Sequence, residues 1–433
     1  MAKTLLERAK AVLPGGINTC IRNYPPDFVT AKAEGAYFWD QNGKKYVDFL
    51  GAWGPMVVGY GCKEIKDKVV DAVQKYDLYG VGVSEPEVRL AEKITGHMRA
   101  VEQVLACGSG SEATYHAIRA ARAATGRDKI IKMQGAFHGW HDSVLLNVLS
   151  KKENLYRPDP FSAGMLRDVY EKTLLCRIND FDHLQKTCQE NKGQIAAIII
   201  DPFNTTFGCL KCDGHYLKQV RELCDQEGIY LIFDEVVTGF RVALGGATSF
   251  YDVDPDLTCL GKAIGNGFPV AAVGGKKEIM ETFNTVKNGN VSYQATYYGN
   301  PIMAAAGVAT IEKLESPGFY EHLNAVGNRF ANGLRAIAHQ MRLPISVVNQ
   351  GSLIGLYFGP GPYHNYDETF ADVDCEASTR FRTQMTERGF LIHPDPFKRI
   401  VVSYSHSEED IDQALAAAED ILQGMYEEGG QKK

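Results

Sequence analysis

Two short and almost uninterrupted apolar runs, separated by a helical pattern, constrain the fold of this 433-residue chain most strongly. Residues 194–200 (QIAAIII) and 229–233 (IYLIF) are apolar along nearly their whole length, as expected of strands that helices cover on both faces. Between them, residues 216–227 place Leu217 and Val220 on one helical face. This βαβ pattern predicts an α/β fold with a mostly parallel central sheet and helices on both of its faces.

The regions that flank this core have a different character. The first 60 residues are rich in glycine and aromatic residues, and the chain after residue 312 mixes helical patterns with short strands. We therefore expect three parts: residues 1–60, which contribute to a small domain; a large domain at 61–311; and a C-terminal small α+β domain at 312–433. The elements predicted in the last part are strands at 352–358 and 400–405 and a final helix capped at Ser407.

The charge pattern favours a small-molecule partner. The formal net charge is -7, with acidic and basic residues mixed along the whole chain and no basic stripe of the kind that binds nucleic acid or a membrane surface. The N-terminus lacks the apolar segment of a secretory signal, and no apolar run reaches the roughly 18 residues that span a bilayer. These features predict a cytoplasmic protein.

The ten cysteines are too few and too scattered for the disulfide framework of a small secreted domain. Free thiols are expected. The pair Cys209 and Cys212 forms a C-x-x-C motif, but only His215 follows nearby as a further ligand. Because a structural metal site needs about four ligands at suitable spacing, no metal is predicted.

A Gly- and Ser-rich loop, residues 108–113 (GSGSEA), connects a short apolar run to a helical pattern. Glycines let the backbone approach a ligand closely, and the helix N-terminus presents free N–H groups. Ser109 and Ser111 add hydroxyl donors. The loop is suited to phosphate binding, although a simple helix-capping turn has the same composition.

Two further motifs follow the Gly- and Ser-rich loop along the chain. Asp234 and Glu235 come directly after the second apolar run, and the carboxyl ends of strands are where open α/β sheets bind ligands. As an alternative, acids at this place cap helices. Lys262 stands alone among small and apolar residues. A desolvated lysine has a lowered pKa and becomes nucleophilic toward carbonyls, whereas most lysines are solvated surface groups.

Taken together and in this order, the motifs resemble those of the class III, or fold-type I, aminotransferases that depend on pyridoxal 5'-phosphate (PLP). Within that family the resemblance is closest to the glutamate-1-semialdehyde 2,1-aminomutase group, and it extends over nearly the whole chain. The other segments that carry it are 14–22 (PGGINTCIR), 51–55 (GAWGP), 137–139 (FHG), 231–241 (LIFDEVVTGFR), 255–262 (PDLTCLGK) and 293–301 (YQATYYGNP). The resemblance implies a fold-type I transferase fold whose large domain binds PLP.

The resemblance also implies roles for single residues. It makes Lys262 the catalytic residue, which carries PLP as an internal aldimine and then moves a proton between the substrate and the cofactor. Asp234 pairs with the pyridine nitrogen and keeps the proton that makes the ring an electron sink. The remaining cofactor contacts that it implies are Gly110, Ser111, Phe137, His138, Val236 and Thr296. Thr296 reaches the phosphate of the partner subunit, which implies a homodimer with shared active sites.

For the substrate, the resemblance places Thr19 and Arg22 around the carboxylate and Trp53 in the pocket wall. A guanidinium suits a carboxylate because it donates two parallel hydrogen bonds. Without the resemblance, Arg22 is an ordinary surface charge, and Phe137 and Val236 are ordinary core residues near strand ends.

The sequence departs from the aminomutase pattern at several places. Lys398 stands where aminomutases carry a glutamate, and Thr206 replaces an asparagine near the 3'-oxygen of the cofactor. Residues 138–141 and the lid-like segment 147–168 also differ from that pattern. An intramolecular mutase must retain its diamine intermediate behind a closed lid, whereas a transaminase releases a product in each half-reaction.

We therefore expect an aminotransferase that forms pyridoxamine phosphate as an intermediate and acts on an amino-carboxylate such as a β- or ω-amino acid. Lys398 or Arg399 would supply a second contact to an anionic group. The alternatives are glutamate-1-semialdehyde 2,1-aminomutase and, more remotely, a non-catalytic binding protein that keeps the fold.

Overall fold

The computed structural model describes residues 3–23 and 28–430. The strands are β1 (Thr30–Glu34), β2 (Tyr37–Asp40), β3 (Lys45–Asp48), β4 (Gln103–Cys107), β5 (Lys129–Met133), β6 (Thr173–Cys176), β7 (Ile195–Ile200), β8 (Tyr230–Glu235), β9 (Leu257–Leu260), β10 (Ala271–Gly275), β11 (Ser346–Gln350), β12 (Leu353–Tyr357), β13 (Phe390–Leu391) and β14 (Ile400–Val401). They form sheets of seven, four and three strands.

The helices lie between and after these strands. They are α1 (Leu5–Val12), α2 (Lys63–Lys75), α3 (Glu85–His97), α4 (Gly110–Thr125), α5 (Arg167–Tyr170), α6 (Phe181–Glu190), α7 (Gly214–Glu227), α8 (Gly246–Tyr251), α9 (Lys277–Met280), α10 (Pro301–Leu314), α11 (Phe319–Gln340), α12 (Thr369–Asp372), α13 (Cys375–Glu387) and α14 (Glu408–Gly430). Short 3-10 turns connect several of them, including one at Lys262–Gly265.

The seven-stranded sheet has the order β4-β10-β9-β8-β7-β5-β6. Its pairings from β9 to β6 are parallel, and β10 runs antiparallel to both of its neighbours, β4 and β9. The prediction of a mostly parallel central sheet is confirmed. The two apolar runs that predict it form β7 and β8, and the helix predicted between them is α7.

Alternate residues of the central strands face opposite layers of helices. Ile198 and Leu231 pack in one cluster with side chains of α6 and α7, while Ile199 and Ile232 pack in another with side chains of α4. All four are completely buried. Because burial of an apolar side chain of this size contributes about 1.5–3 kcal/mol, helices on both faces require the continuous apolar runs of the sequence.

The first and last parts of the chain share a sheet. The four-stranded sheet has the order β1-β2-β3-β13, and β13 pairs in parallel with β3. The three-stranded sheet, β11-β12-β14, packs against helices α11 and α14. The division of the chain at residues 60 and 311 stays a prediction.

Two predicted strands of the C-terminal part differ from the observed ones. The strand predicted at 352–358 is β12, shorter by one residue at each end. The strand predicted at 400–405 ends after Val401, because the chain then turns: the N–H of Ser403 donates to Nδ1 of His406, and the N–H of Tyr404 donates to the carbonyl of Val57. Ser407 caps the final helix through Asp410, as predicted.

The described residues contain no helix with both the length and the apolar character that a membrane crossing needs. All ten cysteines are free thiols. Within residues 3–23 and 28–430, no group of three or more His, Cys, Asp or Glu side chains is arranged to hold a metal ion.

Candidate active site

A cavity of about 420 Å³ lies at the carboxyl ends of the parallel strands of the central sheet. Parallel strands present their carboxyl ends at one edge, which is where α/β folds bind ligands. Among the residues that line the cavity are Trp53, Gly110, Ser111, Phe137, His138, Leu149, Phe161, Asp201, Thr206, Asp234, Val236, Lys262, Lys398 and Arg399.

Lys262 lies just after β9, separated from it by Gly261, and begins a 3-10 turn. Its backbone has φ 42°, an uncommon left-handed conformation for a residue with a side chain. Burial lowers the pKa of Lys262 to about 8, and the neighbouring guanidinium of Arg399 acts in the same direction. At pH 7 the neutral, nucleophilic form of the amine is therefore roughly a tenth of the total, far more than for an ordinary lysine.

Asp234, on β8, is held from two sides. Its Oδ2 atom accepts a hydrogen bond of 2.7 Å from Nδ1 of His138, and its Oδ1 atom accepts one of 3.1 Å from the N–H of Val236. Each carboxylate oxygen accepts one hydrogen bond here and can accept another. The carboxylate keeps a fixed orientation in the cavity wall and retains the capacity to accept a further proton donor.

His138 comes from the loop after β5 and is buried. The hydroxyl of Thr114, on α4, donates to the backbone carbonyl of His138 at 2.6 Å. The Nε2 atom of His138 is buried without a hydrogen-bond partner in the described chain. These contacts tie the loop to α4 and direct Nδ1 at Asp234. His138 therefore contacts the carboxylate that is predicted to pair with the ring nitrogen of the cofactor.

The N-terminus of α4 forms a cradle for an anion. Ser109 caps the helix by accepting the N–H of Glu112, and the Glu112 carboxylate accepts the N–H groups of Gly108 and Ser109. The N–H groups of Gly110 and Ser111, in the first turn, have no intrahelical acceptor. They are free to donate to a phosphate, which the helix dipole also favours.

Close packing makes glycine necessary at the cradle. A Cβ atom on Gly110 would lie 2.7 Å from Cγ1 of Val236, and one on Gly139 would lie 2.9 Å from Cα of Ser111. Gly139 also has φ 119°, which favours glycine. Any side chain at either position would displace Val236 or the first turn of α4.

Two predicted ring contacts line the cavity. Val236 is buried, and its methyl groups pack close to the backbone of Gly110 and Gly261. Phe137 remains 39% exposed although it is apolar. Its exposed ring at the cavity is a surface on which a planar ligand could stack.

One end of the cavity carries the positively charged side chains of Lys398 and Arg399. Arg399 donates from Nη2 to the carbonyl of Trp53 at 2.6 Å and from Nη1 to the carbonyl of Thr205 at 3.0 Å, and its Nε atom is buried without a partner in the described chain. The Nζ atom of Lys398 lies 3.8 Å from the Asp395 carboxylate, too far for a hydrogen bond. Burial lowers the pKa of both side chains.

Asp201 and Thr206, which follow β7, also line the cavity. Burial, with repulsion from the Asp234 carboxylate, raises the pKa of Asp201. Its carboxylate accepts the N–H and the hydroxyl of Thr205 and the N–H of Phe203. Asp201 thus fixes the turn whose Thr205 carbonyl holds Arg399.

Three predicted contacts do not line this cavity within one chain. Thr19 is half-buried and Arg22 is exposed, and Ile21 lines the cavity between them. Thr296 is exposed together with its neighbours at 292–297. Their roles toward substrate and phosphate stay predictions.

Sequence reasoning missed Arg241, which is completely buried behind the cavity. It donates to the carbonyl of Gly54 at 2.6 Å, to that of Val402 and to the hydroxyl of Ser352. A Cβ atom on Gly54 would lie 3.5 Å from Cδ of Lys262, so Arg241 supports the backbone against which the lysine lies. The motif 231–241 includes this arginine, but its spacing does not reveal what the side chain contacts.

Comparisons with known proteins agree with this geometry. A family model for class-III aminotransferases matches residues 21–422. The glutamate-1-semialdehyde 2,1-aminomutase of Neisseria gonorrhoeae is 40% identical over 430 residues, which cover 97% of this chain and 98% of the relative. The crystal structure of an omega-transaminase from Sphaerobacter thermophilus superimposes with a TM-score of 0.90 at 29% identity, covering 97% of this chain and 96% of that one.

A glutamate-1-semialdehyde aminomutase from Pseudomonas aeruginosa has a TM-score of 0.87 at 21% identity, covering 97% of this chain and 93% of that one, a likeness that shows the fold alone. A variant of that enzyme was crystallised in complex with PMP. Together these likenesses confirm the fold-type I transferase fold.

The residues at the cavity fit PLP. An amine of lowered pKa is suited to a carbonyl, a fixed carboxylate to a protonated ring nitrogen, and the N-terminus of α4 to a phosphate. Lys262, Asp234 and Gly110 line one cavity and supply these three features.

Proposed function

The chain belongs to the class-III aminotransferase family, and we propose that Lys262 and Asp234 perform amino transfer on a small amino-carboxylate in the cavity described above. The protein is a PLP-dependent enzyme. One observation carries the assignment of residues: a Lys262 amine of lowered pKa and an Asp234 carboxylate oriented by His138 line the same cavity.

When bound, PLP supplies an electron sink conjugated to the carbon that bears the amino group. The residues of the chain do the rest. The first turn of α4 would hold the phosphate, Phe137 and Val236 would contact the ring, and Asp234 would keep a proton on the ring nitrogen. The Lys262 amine takes the proton from the substrate carbon and returns it to a neighbouring carbon.

We propose intramolecular transfer, of the glutamate-1-semialdehyde 2,1-aminomutase type, as the first version of this reaction. The curated relatives support it: they carry that name, and the first of them is 40% identical over 97% of this chain. They favour it over the stand-alone aminotransferase that the residue differences predict. In this version the carboxylate of the substrate lies at the cationic end of the cavity.

Transfer between two separate substrates is the second candidate, and one specific observation favours it. Lys398 lines the cavity, and its ammonium forms an ion pair of 3.8 Å with the Asp395 carboxylate but no hydrogen bond in the described chain, so its N–H donors are available to a ligand. With Arg399 beside it, the cavity suits a donor or acceptor that brings an anionic group to this end.

Single-turnover spectroscopy tests the proposal. The PLP form of the enzyme is mixed in turn with glutamate-1-semialdehyde, its diamine, β-amino acids and ω-amino acids, and conversion of the cofactor from its aldehyde to its amine form is followed by absorbance. Isomerisation of the semialdehyde by the amine form, with no added donor, supports the mutase. Conversion by amino acids, followed by reoxidation with a keto acid, supports the transaminase.

A protein whose cofactor spectrum none of these compounds changes would overturn both versions. Borohydride reduction separates that case further. A cofactor that reduction fixes covalently to Lys262 indicates an enzyme, whereas a chain that takes up no PLP indicates the non-catalytic alternative.

We also propose that two copies of the chain form the working unit. Thr296 and Tyr297 lie in an exposed stretch away from the cavity of their own chain, and the Tyr297 ring is 73% exposed although it is largely apolar. Contact with a second copy would bury that ring. Light scattering measures the stoichiometry, and a Thr296→Ala variant is expected to bind PLP less tightly without losing the Lys262 linkage. The cytoplasmic location stays a prediction.

A further inference from the structure

Residues 147–161, here called the strap, run along the edge of the cavity. Val148, Leu149 and Phe161 line it, and the Phe161 side chain is 55% exposed. The strap therefore forms part of the wall that separates a bound ligand from solvent. Movement of these three side chains would open that wall.

Asn147 fixes the base of the strap. Its completely buried side chain donates to the Gln134 side chain and to the carbonyls of Asn154 and Arg157, and it accepts the N–H of Asp159 at 2.9 Å. Asn147 also has φ 51°, in the left-handed region that asparagine tolerates better than most residues. The two ends of the strap are thereby tied to each other and to the chain that follows β5.

Tyr156 fixes the middle of the strap to distant parts of the chain. Its hydroxyl donates to Oδ1 of Asp367 at 2.6 Å and accepts from Nε of Arg177 at 3.2 Å. Arg177 also donates to Oδ2 of Asp367 at 3.0 Å and lies over the tyrosine ring, 5.4 Å from its centre. The three side chains form a closed triangle of polar contacts.

The neighbour of Asp367 makes a second attachment. The Tyr366 hydroxyl donates to the carbonyl of Ser150 at 2.8 Å. Two successive residues of the C-terminal part thus hold two points of the strap. Tyr156 itself has φ 58°, which is rare for an aromatic residue and persists only where surrounding contacts determine it.

We propose that the Tyr156 hydroxyl is a latch: it holds the strap closed over the cavity and sets how long a reaction intermediate is retained. This inference rests on the proposed function, because an intermediate must exist to be retained. Tyr156 touches none of the reacting atoms and is a positioning residue. Its effect reaches the cavity through Leu149 and Phe161, which move only if the strap moves.

Retention is what distinguishes intramolecular transfer from release after each half-reaction. If the intermediate escapes, the cofactor does not return to its starting form. A turnover that began with the aldehyde form ends with the amine form, and one that began with the amine form ends with the aldehyde form. The fraction of turnovers that end in the wrong cofactor form therefore measures escape. A weaker latch is expected to increase this fraction while proton transfer at Lys262 keeps its rate.

The test compares Tyr156→Phe with Tyr170→Phe, a half-buried tyrosine outside the strap. Hydrogen exchange on the PLP-loaded protein should become about tenfold faster for amides of the strap in Tyr156→Phe, the factor expected for one or two lost hydrogen bonds. Amides of β7 and β8 should keep their rates, and Tyr170→Phe should match the parent. Escape per turnover should rise by a similar factor.

A second pair of variants guards against a folding defect. Asp367→Asn keeps an acceptor for the tyrosine hydroxyl and should retain most of the protection, whereas Asp367→Ala should reproduce Tyr156→Phe. Unchanged exchange in the strap of both Tyr156→Phe and Asp367→Ala would overturn the latch. The exchange measurement needs no substrate, so it tests the latch even if no substrate changes the cofactor spectrum and the proposed function fails.

Discussion

The Nδ1 atom of His138 lies 2.7 Å from Oδ2 of Asp234, although 96 residues separate them along the chain. Replacement of His138 by Leu removes the donor and leaves the carboxylate without its orienting contact. We expect kcat to fall about 10- to 100-fold, since a hydrogen bond to a charged group contributes roughly 1.5–3 kcal/mol. His138→Asn, which keeps an N–H donor near Nδ1, should recover part of the loss. Equal kcat values for the parent and the Leu variant would contradict the positioning role.

Lys262 should show its lowered pKa in the rate of PLP uptake. Only the neutral amine attacks the aldehyde, and burial lowers the pKa of Lys262 to about 8 from an ordinary value of 10.5. The uptake rate of the cofactor-free protein should rise about tenfold per pH unit below 8 and level off above it. Stopped-flow absorbance measures this, with Nα-acetyl-lysine as the reference. A rate that continues to rise until pH 10 would show an unperturbed lysine.

Gly110→Ala should weaken PLP binding by crowding Val236. The new methyl group would lie 2.7 Å from Cγ1 of Val236, and overpacking of this kind costs about 1–3 kcal/mol. We expect the Kd for PLP, from fluorescence titration, to rise about 5- to 100-fold. The double variant with Val236→Ala should recover much of the affinity. Gly80→Ala is the matched control, since a Cβ there meets nothing within 4 Å.

Lys398→Met should raise KM more than it lowers kcat for substrates that carry an anionic group at the cationic end of the cavity. Loss of one charge-assisted contact predicts an increase of about tenfold, and Lys398→Glu, which reverses the charge, should raise KM further for an extended diacid. Lys151→Glu, on an exposed lysine, is the control. Equal KM values for all three variants would exclude Lys398 from substrate contact.

Lys132, on β5, is completely buried, and its ammonium donates only to the Leu146 carbonyl within the described chain. Burial lowers the pKa of Lys132 to about 7. Between pH 7 and its ordinary value of 10.5, the unfolded chain holds a proton that the folded chain has lost, so the parent gains stability as the pH rises.

Lys132→Met removes this penalty and should therefore stabilise the protein most at or below pH 7. The expected gain is roughly 2–4 kcal/mol, after the unpaired Leu146 carbonyl offsets about 1 kcal/mol. It should shrink steadily as the pH approaches 10.5. Denaturant unfolding of the parent and of Lys132→Met across this pH range measures the difference in their free energies of unfolding. A difference that grows with pH would contradict the prediction.

The elements that the sequence predicted best are those whose packing is uniform. Residues 195–200 are buried on both faces, so a continuous apolar run identifies β7 without any knowledge of its neighbours. The strand predicted from 400 to 405 failed beyond Val401 because Tyr404 bonds to Val57, a partner that the local pattern does not contain.

The same distinction separates the parts of the site. Lys262 and Asp234 could be predicted because one follows β9 and the other lies near the carboxyl end of β8, and these ends meet at one edge of the sheet. The contact of Tyr156 with Asp367 joins residues 211 positions apart, and Arg241 reaches Val402 across 161 positions. No spacing rule connects such pairs, since the fold alone brings them together.

The pairing of β3 with β13 sets the order in which a newly made chain can mature. Strands β4 to β10, which carry the lysine, the aspartate and the phosphate cradle, leave the ribosome before residue 390 is made. Strand β3, after which the chain reaches Trp53, gains its partner β13 only once Phe390 has been made. Arg399 follows Phe390 by nine residues. A ribosome-bound chain can therefore assemble the residues for the cofactor before it possesses a complete wall for choosing a substrate.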